Sequence, residues 1–276
     1  MSVSTLALFQ RVVLAACGAG LVAGALLTGM QRLQVVPLLL EAERYEEAAA
    51  KGGPLLPAPV AHAKVPTHTA RRAPVEGGAA APPVPKAAAQ AFVQDQTQDL
   101  EWSPAAGGER TLYTLIANLT IALGYALALG AAITLRGGTP SGWRAGLLWG
   151  TAGYLVFFLA PALGLPPEVP GTASAALGAR QAWWLFTVIS TAGGLWAICF
   201  AGPWPGKVLG LALLAVPHLL GAPAPMVATE AAPAGLIQAF RIATAWTNAV
   251  FWWVMGGLLG WFLRRLATAA EAKAGE

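Results

Sequence analysis

Five long apolar stretches decide what this chain can fold into. Each holds about 20 residues without Asp, Glu, Lys or Arg, and this is the length that a helix needs to cross the hydrocarbon core of a bilayer. They are Val12–Met30, Leu112–Leu135, Ala145–Leu163, Ala182–Ala201 and Ala243–Leu263. Because a bilayer offers the backbone no water to bond with, such stretches have to be helical. The sequence therefore predicts an all-α polytopic membrane protein, and the low charged fraction of 11% agrees with it.

A sixth apolar run, Val208–Ala222, is only about 15 residues long. It crosses a bilayer if it stands nearly upright or begins at Gly206, and otherwise it forms a re-entrant helix. We therefore predict six transmembrane helices, or five if Val208–Ala222 is re-entrant. Pro217 lies inside this run. Because proline has no backbone N–H, it frees a carbonyl one turn earlier and bends the helix.

Composition divides the chain into five parts. They are 1–30 (first transmembrane span), 31–51 (membrane-proximal amphipathic helix), 52–110 (disordered Ala/Pro-rich linker and acidic external loop), 111–265 (transmembrane bundle) and 266–276 (cytoplasmic tail). The linker holds too few large apolar residues to build a core, and this is why it is expected to be disordered. The membrane-proximal helix is expected to bend at Pro37.

Basic residues are distributed unevenly between the two sides of the predicted bundle. One side receives Arg11, Arg136, Arg144, Lys207, Arg264, Arg265 and Lys273. The short loops of the other side carry Glu168, Arg180, Glu230 and Arg241, and this side also receives the long first loop. Because short cytoplasmic loops are rich in Lys and Arg, both termini are predicted to be cytoplasmic. Glu41, Glu168 and His218 then share the external side.

His218 is the only histidine in any of the apolar segments, and it follows the proline that interrupts its helix. An ionisable side chain at membrane depth is by default a candidate functional residue. The alternative is a helix-end histidine that bonds to a neighbour or lies at the level of the lipid headgroups. Imidazole and carboxylate ligands suit Co²⁺ and Ni²⁺ in general. A metal site would therefore combine His218 with nearby carboxylates.

Three glutamates are the candidate carboxylate ligands. Glu41 and Glu43 lie on the helix after the first span, and Glu41 borders its apolar face one turn before Tyr45. They form either a carboxylate cluster at a pore mouth, with Tyr45 lining it, or an ordinary solvated face. Glu168 lies in a proline-rich loop, and Arg180 is either a neighbour in the pore or its ion-pair partner. In the second case Glu168 is structural, and the site shrinks to the histidine and Glu41.

Other polar residues have two interpretations each. Asn118 and Asn248 either offer neutral oxygens to an ion path or form hydrogen bonds between helices. His62 and His68 lie six positions apart in the predicted linker, where they are either unremarkable or a weak divalent-ion site. Two cysteines, at positions 17 and 199, are expected to be small packing residues rather than a disulfide.

Several function classes are excluded by missing motifs. The sequence contains no P-loop, no HExxH, no CxxC pair and no GxSxG elbow, so we expect it not to be an enzyme. Its net charge of +4 comes from basic residues scattered at helix ends, without a basic patch interleaved with aromatics. The expected partner is therefore the lipid bilayer and not nucleic acid.

Five short stretches, in this order, resemble the CbtA family of cobalt transporter subunits. They are Leu33–Glu43, Glu101–Pro104 with Glu109–Thr111, Gly164–Gly171, Ala179–Trp184 and Pro217–Pro223. The resemblance implies a protein of the bacterial inner membrane that imports Co²⁺ for cobalamin biosynthesis, together with a small CbtB-type membrane subunit as partner. The same ligands suit Ni²⁺ as the transported ion, and we expect no permanently bound cofactor. One departure from the family is that Phe92–Leu100 contains no histidine, where many members are histidine-rich.

Two functions are consistent with these observations. The first is a divalent-metal uptake permease subunit with His218, Glu41, Glu168 and Glu43 as ligands. The second is a non-transporting accessory or scaffold subunit whose glycine-rich helices pack within a larger complex. Closely spaced glycine pairs fit both, because they mark faces where helices approach each other: Gly20 and Gly24, Gly146 and Gly150, Gly256 and Gly260.

Overall fold

The computed structural model describes residues 3–51, 104–105, 107–137 and 142–274. Eight α-helices are present in these residues: α1 (Val3–Met30), α2 (Val36–Ala50), α3 (Gly108–Leu135), α4 (Trp143–Tyr154), α5 (Ala160–Gly164), α6 (Leu177–Phe200), α7 (Trp204–Leu220) and α8 (Ala234–Ala274). Two π-helical turns join α1 to α2 and α4 to α5, at Gln31–Val35 and Leu155–Leu159. The all-α fold predicted from the sequence is confirmed.

The chain divides into two compact units. The first consists of Met1–Leu56 and Thr111–Glu276 and contains the helical bundle; the second is Pro57–Arg110. Most of the predicted linker, 52–110, lies outside the described residues. In the described part of the second unit, the backbone N–H of Ala105 donates to Oε2 of Glu109 over 3.2 Å.

Five helical segments are long and apolar enough to cross a membrane, and they match the five predicted stretches. They are Leu6–Ala50, Gly108–Leu135, Trp143–Gly164, Leu177–Phe200 and Ala234–Ala272. The sixth run forms α7, whose 17 residues extend about 25 Å, somewhat less than the hydrocarbon thickness. Helix α7 follows α6 after a short connection and packs against it. The two backbones touch because Gly194 and Gly210 have no side chains.

Helices at the centre of the bundle also approach each other closely at glycines. A Cβ atom at Gly146 or Gly150 of α4 would collide with carbonyl oxygens of α8, at Gly256 and Trp252. On α1, a Cβ at Gly20 would lie 3.0 Å from the Cα of Leu123 in α3. The predicted glycine faces are thus confirmed as helix contacts, and the structure shows that the glycines of α4 meet those of α8.

Both π-turns precede a proline by the same distance. Pro37 follows the first π-turn and Pro161 follows the second, each two residues after its end. Because proline cannot donate to the i−4 carbonyl and its ring crowds that carbonyl, a wider turn ahead of it relieves the conflict. The first span and the membrane-proximal helix therefore form one continuous helical segment, whose irregular turn comes just before Pro37.

The second π-turn places Phe157 at the centre of an aromatic cluster. Its ring stacks on Trp252 of α8 with centroids 5.5 Å apart, and lies 4.9 Å from Tyr125 of α3. The ring centroid of Trp184 in α6 lies 6.4 Å from that of Phe157. Four helical segments therefore meet at Phe157, and such aromatic pairs add stability beyond the area that they bury.

The last helix is longer than the sequence indicated. We predicted a span over Ala243–Leu263 and a cytoplasmic tail over 266–276, but α8 runs from Ala234 to Ala274. Hydropathy marks only the apolar middle of such a helix. The flanking Ala, Gln, Arg and Lys residues are good helix formers, and they continue it on both sides.

Candidate functional site

Two loops join at one end of the bundle and form what we call the loop cap, 165–176 and 221–233. Thr172 and Glu230 form an antiparallel bridge, and the N–H of Ala173 donates to the carbonyl of Thr229 over 3.0 Å. Gly171 has φ +75, and a Cβ there would lie 2.7 Å from the Cβ of Ala231. Glycine adopts a positive φ readily and has no side chain. Gly171 therefore lets the backbones of the two loops pair.

The inner side of the loop cap rests on α2. Ala42 and Tyr45 of α2 are buried against Val169 of the first loop and Phe240 of α8. Tyr45 is therefore part of an apolar cluster. Tyr45 is only 7% exposed, so it packs in this cluster, and its proposed position at a pore mouth stays a prediction.

Trp183 lies where three of the family-like sequence stretches meet: Gly164–Gly171, Ala179–Trp184 and Pro217–Pro223. Its indole covers Gly164, where any side chain would collide with the ring, and the Cβ of Ala222 also reaches this spot. The His218 ring lies edge-on to Trp183, with centroids 6.3 Å apart and an interplanar angle of 70°. Trp183 thus holds the end of α5, the start of α6 and the end of α7 together.

The sequence indicated Trp183 only as part of the stretch Ala179–Trp184. The available signal was the pair Trp183-Trp184 directly after Arg180-Gln181, since adjacent tryptophans on a helix face different neighbours. In the structure Trp183 is buried towards α7, and Trp184 is half-buried beside Phe157.

Glu168 is held by two donors. Its Oε2 lies 3.2 Å from Nη2 of Arg180, and the Ser174 hydroxyl donates to the same oxygen. Arg241 adds a contact from α8, because its Nε donates to the carbonyl of Pro167 over 3.4 Å. Of the two interpretations of Arg180, the ion-pair partner is the one found. Glu168 thus joins the loop cap to the start of α6, and Ser174, which sequence reasoning overlooked, completes the contact.

His218 is exposed in the last turn of α7. The preceding Pro217 is buried, and the helix ends at Gly221, whose φ of +80 lets the chain turn away. No hydrogen bond joins the imidazole to another described residue. The edge-on contact with Trp183 leaves the ring nitrogens unoccupied.

Glu41 and Glu43 are half-buried on α2. Within the described ranges, no three His, Cys, Asp or Glu side chains lie close enough together to hold a metal ion. Glu168 and His218 lie at the same end of the bundle, where both contact the start of α6. The assignment of these four residues as ligands stays a prediction. His62, His68 and Phe92–Leu100 lie outside the described residues.

The two asparagines differ in their partners. Asn118 of α3 donates to Oγ1 of Thr28 over 3.0 Å and to Oε1 of Gln31 over 2.7 Å, and so bonds across to the α1 segment. Asn248 donates to the carbonyl of Thr244 in its own helix. Of the two interpretations, interhelical hydrogen bonding is found for Asn118, whereas the amide nitrogen of Asn248 bonds one turn back in its own helix. Both cysteines are free thiols, as expected.

One comparison with known proteins gave a match. A family model described as "Probable cobalt transporter subunit (CbtA)" matches residues 9–264 of the 276 residues. No curated protein and no solved structure is similar enough to the chain to count as a match.

Proposed function

The chain belongs to the CbtA family, and we propose that it is the uptake permease subunit of a divalent-cation transport system. Its cargo would be Co²⁺, or Ni²⁺, which accepts the same imidazole and carboxylate ligands. The proposal rests on the exposure of His218 and on its lack of a hydrogen-bond partner among the described residues. This imidazole is exposed next to the loop cap, lies edge-on to Trp183, and makes no hydrogen bond to any other described residue.

One imidazole does not hold a divalent ion, so other ligands have to complete the site. Glu168 is a poor source, because Arg180 and Ser174 already use its carboxylate. Glu41 and Glu43 on α2 are the other two carboxylates that the sequence offered, and both are half-buried. We propose that they and a small CbtB-type membrane subunit supply the remaining ligands. Transport, rather than catalysis, is then the task of the chain.

The proposed setting is the bacterial inner membrane with both termini in the cytoplasm. Three arginines at the end of the bundle opposite the loop cap lie over aromatic rings. Arg136 lies 4.2 Å from the Phe200 centroid, and Arg144 and Arg265 lie 5.4 Å from those of Trp143 and Trp261. Because Lys and Arg are enriched in cytoplasmic loops, the arginines support a cytoplasmic location for this end. The loop cap and His218 would then face the outside, where an imported ion arrives for use in cobalamin biosynthesis.

A second candidate function is an accessory or scaffold subunit that does not transport. The close contact of α4 and α8, through four glycines, gives this chain a rigid centre on which other subunits could assemble. The Glu168–Arg180 pair fits such a structural role as well as it fits a permease.

Metal uptake in cells separates the two candidates. Accumulation of Co²⁺ and Ni²⁺ is measured in a deletion strain carrying the wild type, His218→Ala, or the double variant H62A/H68A, at equal amounts of membrane protein. The permease proposal expects His218→Ala to lose most of the uptake and the linker double variant to retain it. Equal accumulation in the deletion strain and the wild type would contradict transport by this chain and favour the accessory role.

A further inference from the structure

The second loop of the loop cap has an exposed apolar tip. Residues 223–228, which we call the apolar tip, read Pro-Ala-Pro-Met-Val-Ala, and the side chains of Met226 and Val227 are 99% and 68% exposed. Loops in water are instead rich in Gly, Asn, Asp and Ser. Both ends of the tip are anchored. It starts just after α7, and beyond it the carbonyl of Thr229 and the N–H of Ala231 bond to the first loop.

Helix α7 is too short to cross a bilayer alone. Trp204 and Lys207 lie in its first turn, and these are residue types that mark a membrane interface. From Lys207 to Leu220 the helix rises about 20 Å, whereas the hydrocarbon core is about 30 Å thick. With Trp204 and Lys207 at one interface, about 10 Å of hydrocarbon remain beyond the end of α7. The residues after Leu220 have to cover this distance.

The exposed apolar surface continues along the chain from α7 into the apolar tip. No Asp, Glu, Lys or Arg occurs between Lys207 and Glu230. Leu219 and Leu220 in the last turn of α7 are 82% and 72% exposed, and the side chains of the tip follow directly. Because an exposed leucine of a membrane helix contacts lipid, the neighbour that the tip meets first is the same lipid.

The backbone of the apolar tip suits the boundary between headgroups and acyl chains. A non-helical segment exposed to the hydrocarbon core would leave its N–H groups without acceptors. Pro223 and Pro225 have no N–H, so the tip has fewer such groups to satisfy. The headgroup layer supplies water and lipid oxygens to the others. At this boundary, apolar side chains can insert by about 5–10 Å.

We infer that the apolar tip inserts into the bilayer and completes a sixth crossing that α7 begins. Met226 and Val227 contact acyl chains next to the headgroups, and the exposed Glu230 marks the return of the chain to water. The partner of this surface is lipid. With six crossings the two termini lie on the same side of the membrane. The inference concerns α7 and its loop, and it does not depend on transport by the chain.

Fluorescence quenching of the full-length chain in lipid nanodiscs tests the inference. Cys17 and Cys199 are replaced by alanine, and Met226→Cys carries an environment-sensitive dye. A phospholipid with a nitroxide beside its headgroup should quench this dye strongly. Iodide, which stays in water, should lose most of the quenching that it causes at Glu230→Cys. Glu230→Cys is the matched control, because its side chain is exposed in the same loop.

Val227→Cys gives a second labelled position if Met226→Cys folds poorly, and it should show the same pattern. Equal quenching by iodide at Met226→Cys and Glu230→Cys would overturn the inference, because the tip would then lie in water. Protection of the dye from both iodide and the nitroxide lipid would also overturn it. In that case protein covers the tip, from a second copy or from another part of the chain.

Discussion

Nη2 of Arg180 lies 3.2 Å from Oε2 of Glu168, and this contact joins the loop cap to the first turn of α6. The two side chains are 34% and 24% exposed, so water screens the pair only in part. The carboxylate that the sequence offered as a metal ligand is therefore engaged by the protein itself. For the proposed ion contact, His218 is therefore the stronger candidate.

The ion pair predicts coupled effects on stability. Glu168→Gln and Arg180→Gln should each lower the apparent melting temperature of the purified protein, because each leaves the other charge without its partner. The double variant should lose less stability than the two single variants lose together, with a coupling energy of about 0.5–3 kcal/mol. Additive losses would show that the two side chains do not stabilise each other.

The contact of α4 with α8 predicts a steric effect at one glycine and none at another. A Cβ at Gly256 would lie 2.7 Å from the Cα of Gly150, so Gly256→Ala should destabilise the protein by about 1–3 kcal/mol. Gly124→Ala is the matched control, since a Cβ at Gly124 meets nothing within 4 Å. Thermal unfolding in detergent measures both variants. A loss at Gly124 as large as that at Gly256 would contradict this packing.

The hydrogen bonds of Asn118 predict a structural role for this residue. Asn118→Leu removes its bonds to Thr28 and Gln31, and should cost about 0.6–2 kcal/mol of stability. Asn248→Leu should cost less, because the Asn248 amide bonds to a carbonyl of its own helix. Cobalt uptake per folded molecule should remain in both variants. Loss of uptake by a stable Asn118→Leu protein would instead identify Asn118 as part of the ion path.

Much of the fold could be predicted because membrane spans have a strong sequence signal. Five uncharged stretches of about 20 residues can hardly be anything but spans, and five of the helical segments match them. The ends of α8 could not be predicted in this way. Beyond Leu263 the chain is no longer apolar enough to mark a span, but its residues still favour a helix up to Ala274.

The candidate site could be predicted only in part, for a geometric reason. Topology puts Glu41, Glu168 and His218 on one side of a membrane, but it does not fix their lateral distances. Proximity along the chain pointed to the Glu168–Arg180 pair, because both residues border the same loop. The position of Trp183 over Gly164 depends on how three helices pack, which no local pattern in the sequence encodes.

We propose that His218 contacts the ion and that Glu168 has a structural role. The most direct test compares Co²⁺ accumulation by His218→Ala with that by the double variant E168Q/R180Q, at equal amounts of folded protein in the membrane. The double variant removes both charges together and leaves no unpaired ion, so it should retain most of the uptake, whereas His218→Ala should lose it. Full uptake by His218→Ala, together with loss in the double variant, would contradict the claim.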